Sequence, residues 1–182
     1  MKKVGVITHS FPTKNLPSAS IFVLKEVQLL SNYYAFEVIV PQVFGKTKND
    51  WFNKNVSFID SGIPLSTFNY FSIPRRKLPE LTKKSLTISA KKFIHGSDAD
   101  LYHIHFLYPS GLLIPFLKKA GKKVILTLHG GDWHTNQNKI MSKHVLNACR
   151  YADKIITVGK DLHNSVIKKF PSYKDKIYHV SH

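Results

Sequence analysis

A chain of 182 residues with 43% hydrophobic content is long enough for one well-filled core and short for two, so residues 1–182 are read as a single domain. Lys and Arg total 27 against 11 Asp and Glu, and the formal charge of +16 favours phosphate-rich partners, whether nucleic acid, anionic lipid or a diphosphate ligand, without choosing among them. The single cysteine, Cys149, excludes an internal disulfide and multi-cysteine zinc spacings; the start "MKKVGVITHSF" has no secretory apolar region and no run is of bilayer length, so the expected location is cytoplasmic.

Short β-branched runs alternate with segments of helical period, the pattern of an α/β fold in which crossover helices cover a parallel sheet. "KKVGVIT" (2–8) predicts the first strand. "SASIFVLKEVQLLS" predicts a helix with a serine N-cap and an apolar stripe of Val23, Val27 and Leu30. "FEVIV" (36–40), stopped by Pro41, "VSFI" (56–59), "DLYHIHF" (100–106), "KKVILTL" (122–128), "DKIITV" (153–158) and "KIYHV" (176–180) are the further strands. Helical period marks 79–94, the segment around 110–120, 139–152 and 160–170. Residues 41–79 interleave aromatic and basic residues with Pro, Gly and Asn and are expected to form a long, functional loop.

"LTLHGGDWH" (126–134) sets a charged and aromatic cluster directly behind a buried strand. Ligands of open parallel sheets sit beyond the carboxyl ends of the strands, which places His129 at the mouth of a crevice. Gly130 and Gly131 give the backbone freedom and let a ligand approach main-chain N–H groups, while Asp132 accepts hydrogen bonds from sugar hydroxyls or orients the imidazole. The plainer alternative is a tight turn, capped by Asp132 and covered by Trp133. In "YHIHF" (102–106), strand alternation puts His103 and His105 on one face and Tyr102, Ile104 and Phe106 on the other. Such a pair is two-thirds of a zinc site, completed by His129, His134 or Asp132; otherwise one histidine is hydrogen-bonded under the crevice and the other sits at its rim. The loop "THSFPTKNLPSAS" opens the first helix, whose N-terminus suits a phosphate or a sugar hydroxyl. It lacks the dinucleotide G-x-G-x-x-G; the P-loop and nucleophile-elbow motifs are also absent.

"SFPTKNLPSASIFVLKEVQLL", "DLYHIHFLYPSGLLIPFLKKAGKKVILTLHGGDW" and "ADKIITVGKDLHNSVIKKF" follow one another at a spacing that resembles the N-terminal domain of family 4 GT-B glycosyltransferases. The resemblance covers nearly the whole chain and is most specific where D-x-x-H-x-H-F leads through Y-P-x-G and a short helix to a strand running into H-G-x-D. It implies a Rossmann-like parallel sheet with helices on both faces, the N-terminal half of a GT-B fold. It also implies retaining sugar transfer from a nucleotide-diphosphate donor to a glycan or lipid-linked acceptor, without cofactor or bound metal, in the building of a surface glycan. By position, His129 stands beside the transferred sugar, with Gly130, Gly131 and Asp132 shaping that wall; Ser18, Ala19 and Ser20 lie near the donor diphosphate, and His105 and Tyr108 line the acceptor side.

The chain departs from the family pattern where many relatives have a glycine pair, at Ser18 to Ser20, and at Gly159, where relatives carry serine. The donor-gripping second domain is absent, so the expectation is an acceptor-binding half, inactive alone. Two other readings stay open: a metal-dependent hydrolase using His103, His105 and His129, and a basic nucleic-acid-binding module, against which no nucleic-acid motif accompanies the lysines. In "STFNYFSIPRRKL" (66–78), Phe68, Tyr70, Phe71 and Ile73 precede Arg75, Arg76 and Lys77, which suits an anionic membrane surface, the inner face of the plasma membrane in a peripheral protein; alternatively the aromatics pack on the sheet edge and the basic triplet is solvated.

Overall fold

The computed structural model describes residues 1–44 and 58–180; the segment 45–57, which holds most of the aromatic and basic stretch 43–55 and the first half of the strand expected at 56–59, lies outside them. The chain forms two compact units, Met1–Asp100 and Leu101–His182.

In the first unit β2 (Ala35–Val43) lies between β1 (Lys3–Ile7) and β3 (Leu65–Tyr70), and both pairings are parallel. β2 does not stop at Pro41 as expected. Val38 N–H donates to the carbonyl of Pro64 and Phe44 N–H to that of Tyr70, so even-numbered residues of β2 point their N–H groups at β3. Pro41 therefore turns its missing N–H towards β1, whose pairing has already ended with Ile7 opposite Ile39. Proline costs no ladder bond there.

β3 is a further correction, since it lies inside the stretch expected to be a loop. Ser66, Thr67 and Asn69 interrupt its apolar run and face solvent, while Phe68 and Tyr70 point inward. Phe68 meets Phe93 of α2 (Pro79–Gly96) with ring centroids 5.3 Å apart. α2 buries Thr82, Leu86, Ala90 and Ile94, a stripe of helical spacing. Of the strand expected at 56–59, Phe58 makes an isolated antiparallel bridge with Thr13, and Phe58 packs near Phe11.

α1 (Ile21–Leu30) buries Val23, Leu24 and Val27. Leu30, expected in this stripe, is only half-buried. Ser20 occupies the N-cap position, yet its side chain makes no capping hydrogen bond, because its backbone is left-handed (φ 47, ψ 40) instead of extended.

The second unit places four parallel strands side by side in chain order: β4 (Leu101–His105), β5 (Lys123–Leu128), β6 (Lys154–Val158) and β7 (Ile177–Val180). Between them lie α3 (Ile114–Lys119), α4 (Gly130–Thr135), α5 (Lys139–Tyr151) and α6 (Lys160–Lys169). Asn138 caps α5 by accepting from Met141 N–H at 3.0 Å, and Met141, His144, Val145, Ala148 and Cys149 form its inner face. Tyr102, Ile104, Val124, Leu126, Leu128 and Ile155 are fully buried strand residues. Asp153 ties the start of this sheet together: its carboxylate accepts Val124 N–H at 2.7 Å and pairs with Lys118 at 2.8 Å. Among the described residues no helix is long and apolar enough to cross a membrane.

The left-handed backbone at Ser20 predicts an inverted N-cap substitution pattern. Ser→Ala at an N-cap ordinarily costs about 1 kcal/mol, but Ser20→Ala should change stability by less than about 0.5 kcal/mol because no cap bond is lost. Ser20→Gly should stabilise by up to about 1 kcal/mol, since glycine accepts positive φ without steric cost. Urea denaturation of the two variants checks this; a full cap-sized loss in Ser20→Ala would contradict it.

Candidate functional site

Register assembles the site in the second unit. β4 and β5 run parallel with His105 opposite Thr127, so the chain leaves both strands at the same edge, one through Phe106 and Leu107, the other through His129. His103 and His105 share one face of β4, as alternation requires, with ring centroids 4.3 Å apart. His103 Nε2 shares a hydrogen bond of 2.6 Å with Thr127 Oγ1. His105 Nδ1 lies 3.4 Å from His129 Nε2, and the two rings stack with centroids 5.7 Å apart. Neither histidine of the pair sits at a rim: His103 and His105 are both buried, and His105 is fully enclosed.

Phe106 breaks the alternation. Its backbone is left-handed (φ 72), its N–H donates to Thr127 carbonyl at 3.1 Å, and its carbonyl accepts Gly111 N–H at 3.1 Å. The reversal carries the Phe106 ring to 4.5 Å from the His129 ring instead of to the face of Tyr102 and Ile104. A side chain at Gly111 would meet the Phe106 carbonyl oxygen at 3.2 Å, a tight contact that glycine avoids. Tyr108, half-buried, lies one residue beyond Leu107 on the same loop.

After His129 the backbone does not enter a loop, as expected, but the short helix α4. Gly130 and Gly131 form its first turn without positive φ, so the expectation that they supply unusual backbone angles is corrected. A Cβ added to either glycine meets nothing within 4 Å. Their missing side chains leave open space beside His129. Asp132 takes the plainer of its expected roles and caps backbone instead of orienting the imidazole: Oδ1 accepts His129 N–H at 2.8 Å and Oδ2 accepts Leu107 N–H at 2.5 Å. Trp133 is buried; its Nε1 donates to Ser165 Oγ at 3.0 Å and its ring meets Phe170 edge-on at 6.2 Å.

The structure thus brings together His105, Tyr108, His129, Gly130, Gly131 and Asp132 in the second unit. Ser18, Ala19, Ser20, Arg75, Arg76 and Lys77 belong to the first. Ser18 is exposed and Ala19 and Ser20 are half-buried in turns leading to α1. Arg75 and Arg76 both have positive φ (59 and 56) in a short 3-10 turn. Phe68 and Tyr70 are buried, which removes them from the proposed membrane-facing set; Phe71 stays exposed and Ile73 is half-buried. Sequence reasoning missed Thr127 and Phe106. Thr127 was findable, two residues before His129 and hence on its face of β5; a left-handed phenylalanine leaves no sequence signal.

The family model for Glycosyltransferase Family 4 matches residues 28–182, and the chain belongs to that family. A curated relative, an uncharacterised glycosyltransferase of Methanocaldococcus jannaschii, is 33% identical over 90 residues, covering 48% of this chain and 26% of that protein. Among solved structures, the sucrose-phosphate synthase of Thermosynechococcus elongatus is similar with a TM-score of 0.63 at 13% identity, covering 100% of this chain and 47% of that one. A UDP-GlcNAc 2-epimerase of Methanocaldococcus jannaschii is similar with a TM-score of 0.62 at 12% identity, covering 98% and 45%. The fold is the Rossmann-like α/β fold of these proteins, and the chain spans about half the length of the two solved structures.

Burial pushes the Asp132 carboxyl up to about 6 from 3.8, although the N–H groups of Leu107, His129 and Trp133 pull the other way. An aspartate whose folded pKa lies above its unfolded value holds its proton more tightly when folded. Its stabilising contribution is complete below pH 3.8 and is lost as the pH rises through about 6. The window corresponds to roughly 3 kcal/mol at about 1.4 kcal/mol per pKa unit. Wild-type stability measured against Asp132→Asn in urea should fall by an amount of this order between about pH 4 and pH 7; a flat or rising difference would show that the hydrogen bonds outweigh burial.

Proposed function

We propose that this chain is the acceptor-binding half of a retaining, metal-independent hexosyltransferase that moves a sugar from a nucleotide-diphosphate donor to a glycan or lipid-linked acceptor in polysaccharide biosynthesis. The observation that carries the reading is the wall formed by His129, Gly130 and Gly131: an imidazole at the carboxyl end of a central strand, beside open space left by two side-chain-free residues. Membership of glycosyltransferase family 4 supports a sugar substrate for that space.

In the reaction, the bond between the anomeric carbon and the diphosphate oxygen breaks and a bond from the acceptor oxygen forms on the same face of the sugar. The acceptor's proton passes to the departing diphosphate. His129 hydrogen-bonds the transferred sugar and fixes its position, with Tyr108 on the acceptor side. A second Rossmann-like domain grips the nucleotide, so this chain by itself does not turn over. The protein works in the cytoplasm, on the inner face of the membrane that carries its acceptor.

His129→Ala in the protein that includes the second domain should lower sugar transfer by about a hundredfold or more while leaving unfolding unchanged within about 1 kcal/mol. Gly131→Ala should raise stability by up to about 1 kcal/mol through helix propensity and yet weaken transfer by filling the open space. Radiolabelled transfer assays and urea titrations check both, and wild-type activity in His129→Ala would return that residue to a structural role.

Membrane attachment rests on Arg75, Arg76 and Lys77 with the exposed Phe71 and Leu78 beside them. The chain should co-sediment with vesicles containing anionic lipid, less so as salt shortens the Debye length below about 8 Å, and still less when the three basic residues become Ser. Equal binding to neutral vesicles would overturn the attachment.

A further inference from the structure

Asp132 is the one carboxylate at the edge where β4 and β5 end among the described residues, and neither of its oxygens is turned to a side chain that does chemistry. Oδ1 accepts the His129 N–H at 2.8 Å and Oδ2 accepts the Leu107 N–H at 2.5 Å. These two amides lie 22 residues apart in the chain (129 − 107), one at the end of each strand. What lies between the two anchor points is held from several sides. Phe106 is left-handed, and the peptide that follows it delivers the Leu107 N–H to the carboxylate. The Phe106 ring stands 4.5 Å from the His129 ring, and His105 Nδ1 stands 3.4 Å from His129 Nε2. Asp132 is itself fixed, since its carbonyl accepts Asn136 Nδ2 at 2.6 Å.

We propose that Asp132 is a positioning residue for the transfer reaction: one carboxylate clamps the exit of β4 to the start of α4, and so sets His129 and Tyr108 at a fixed spacing around the acceptor. The inference rests on the proposed transfer function for its consequence, though the clamp itself does not. Asparagine at 132 keeps one acceptor oxygen but offers an NH₂ to the second backbone N–H, so one of the two ties must break. Alanine breaks both. Glutamate keeps the charge and moves the carboxylate outward by a methylene, so it restores the charge without the geometry.

The test has one arm that needs no activity. Amide hydrogen exchange in this chain should accelerate at Leu107, His129 or both by at least about tenfold in Asp132→Asn relative to amides of β6, the size expected for loss of a hydrogen bond to a charged acceptor. The His129 ring resonances should shift in the same variant. A core control, Val166→Ala, loosens the unit without touching the clamp and should leave both signals in place. In the protein that includes the second domain, Asp132→Asn should lower kcat at least about tenfold with a smaller change in the donor KM, and Asp132→Glu should not restore it. Unchanged exchange at both amides in Asp132→Asn overturns the clamp whatever the activity. Loosened amides with kcat unchanged overturn its positioning role. Wild-type protein that transfers no sugar overturns the transfer function and leaves the clamp to be judged by the exchange data.

Discussion

Parallel pairing is the constraint on which the rest of each unit depends. Strands that all run one way cannot be joined by tight hairpins, so each needs a crossover, and every crossover starts from the same edge of the sheet. That edge collects the residues that follow strands. In the second unit the register that sets His105 opposite Thr127 brings two exits together and puts three histidines within one stack of rings. A slip of one residue would turn His103 and His105 to the opposite face and Tyr102 and Ile104 into their places. The burial of Tyr102 and Ile104, both fully enclosed, makes that slip expensive.

Two aspartates bound β5, one at each end, and show how environment divides one chemistry. Asp153 accepts Val124 N–H at the start of β5, and Asp132 accepts His129 N–H just past its end. Burial would raise the pKa of Asp153 as well, but Lys118 and the Val124 N–H outweigh it and hold its carboxyl below the usual value. Asp132 accepts only backbone N–H groups in the bonds that fix it, and burial prevails. The first aspartate is a stabilising tie near solvent. The second holds two chain segments in place at a cost in stability, which is the pattern expected where position matters more than free energy.

Much of the fold was legible because periodicity and punctuation agreed. β1, β4, β5, β6 and β7 fall within or a residue inside their expected ranges, and α2, α5 and α6 keep their expected starts within one residue. The failures are local and physical. β3 was hidden because an edge strand exposed on one side tolerates Ser66, Thr67 and Asn69, so its apolar residues number too few to show a run. Pro41 misled because the cost of proline depends on which neighbour its nitrogen faces, and a sequence does not give the register. In the site, strand alternation placed His103 and His105 correctly beside each other, and the strand end placed His129. The partners of Asp132 were illegible, since the Leu107 amide is aimed by the left-handed backbone of Phe106, which only the folded loop dictates.

The segment 129–135 and the loop beside it break several local rules. Two glycines open a helix, where each is about 1 kcal/mol worse than alanine, although neither φ nor neighbouring atoms require glycine. The next residue is a half-buried carboxylate in a setting that disfavours its charge. A phenylalanine nearby adopts φ 72, a conformation that costs a bulky residue on the order of 1 kcal/mol. Each departure alone is an ordinary imperfection. Together they surround one imidazole at the end of a strand, and the surrounding positions in β5 and α5 follow their patterns closely. Agreement between local preference and fold is what makes a sequence specify its structure, so a cluster of disagreements marks the place where another requirement prevailed. Helix propensity favours a side chain at 130 and 131, and neither backbone angle nor neighbouring atoms oppose one, so the glycines there are explained by the open space the proposed transfer reaction needs and not by the fold.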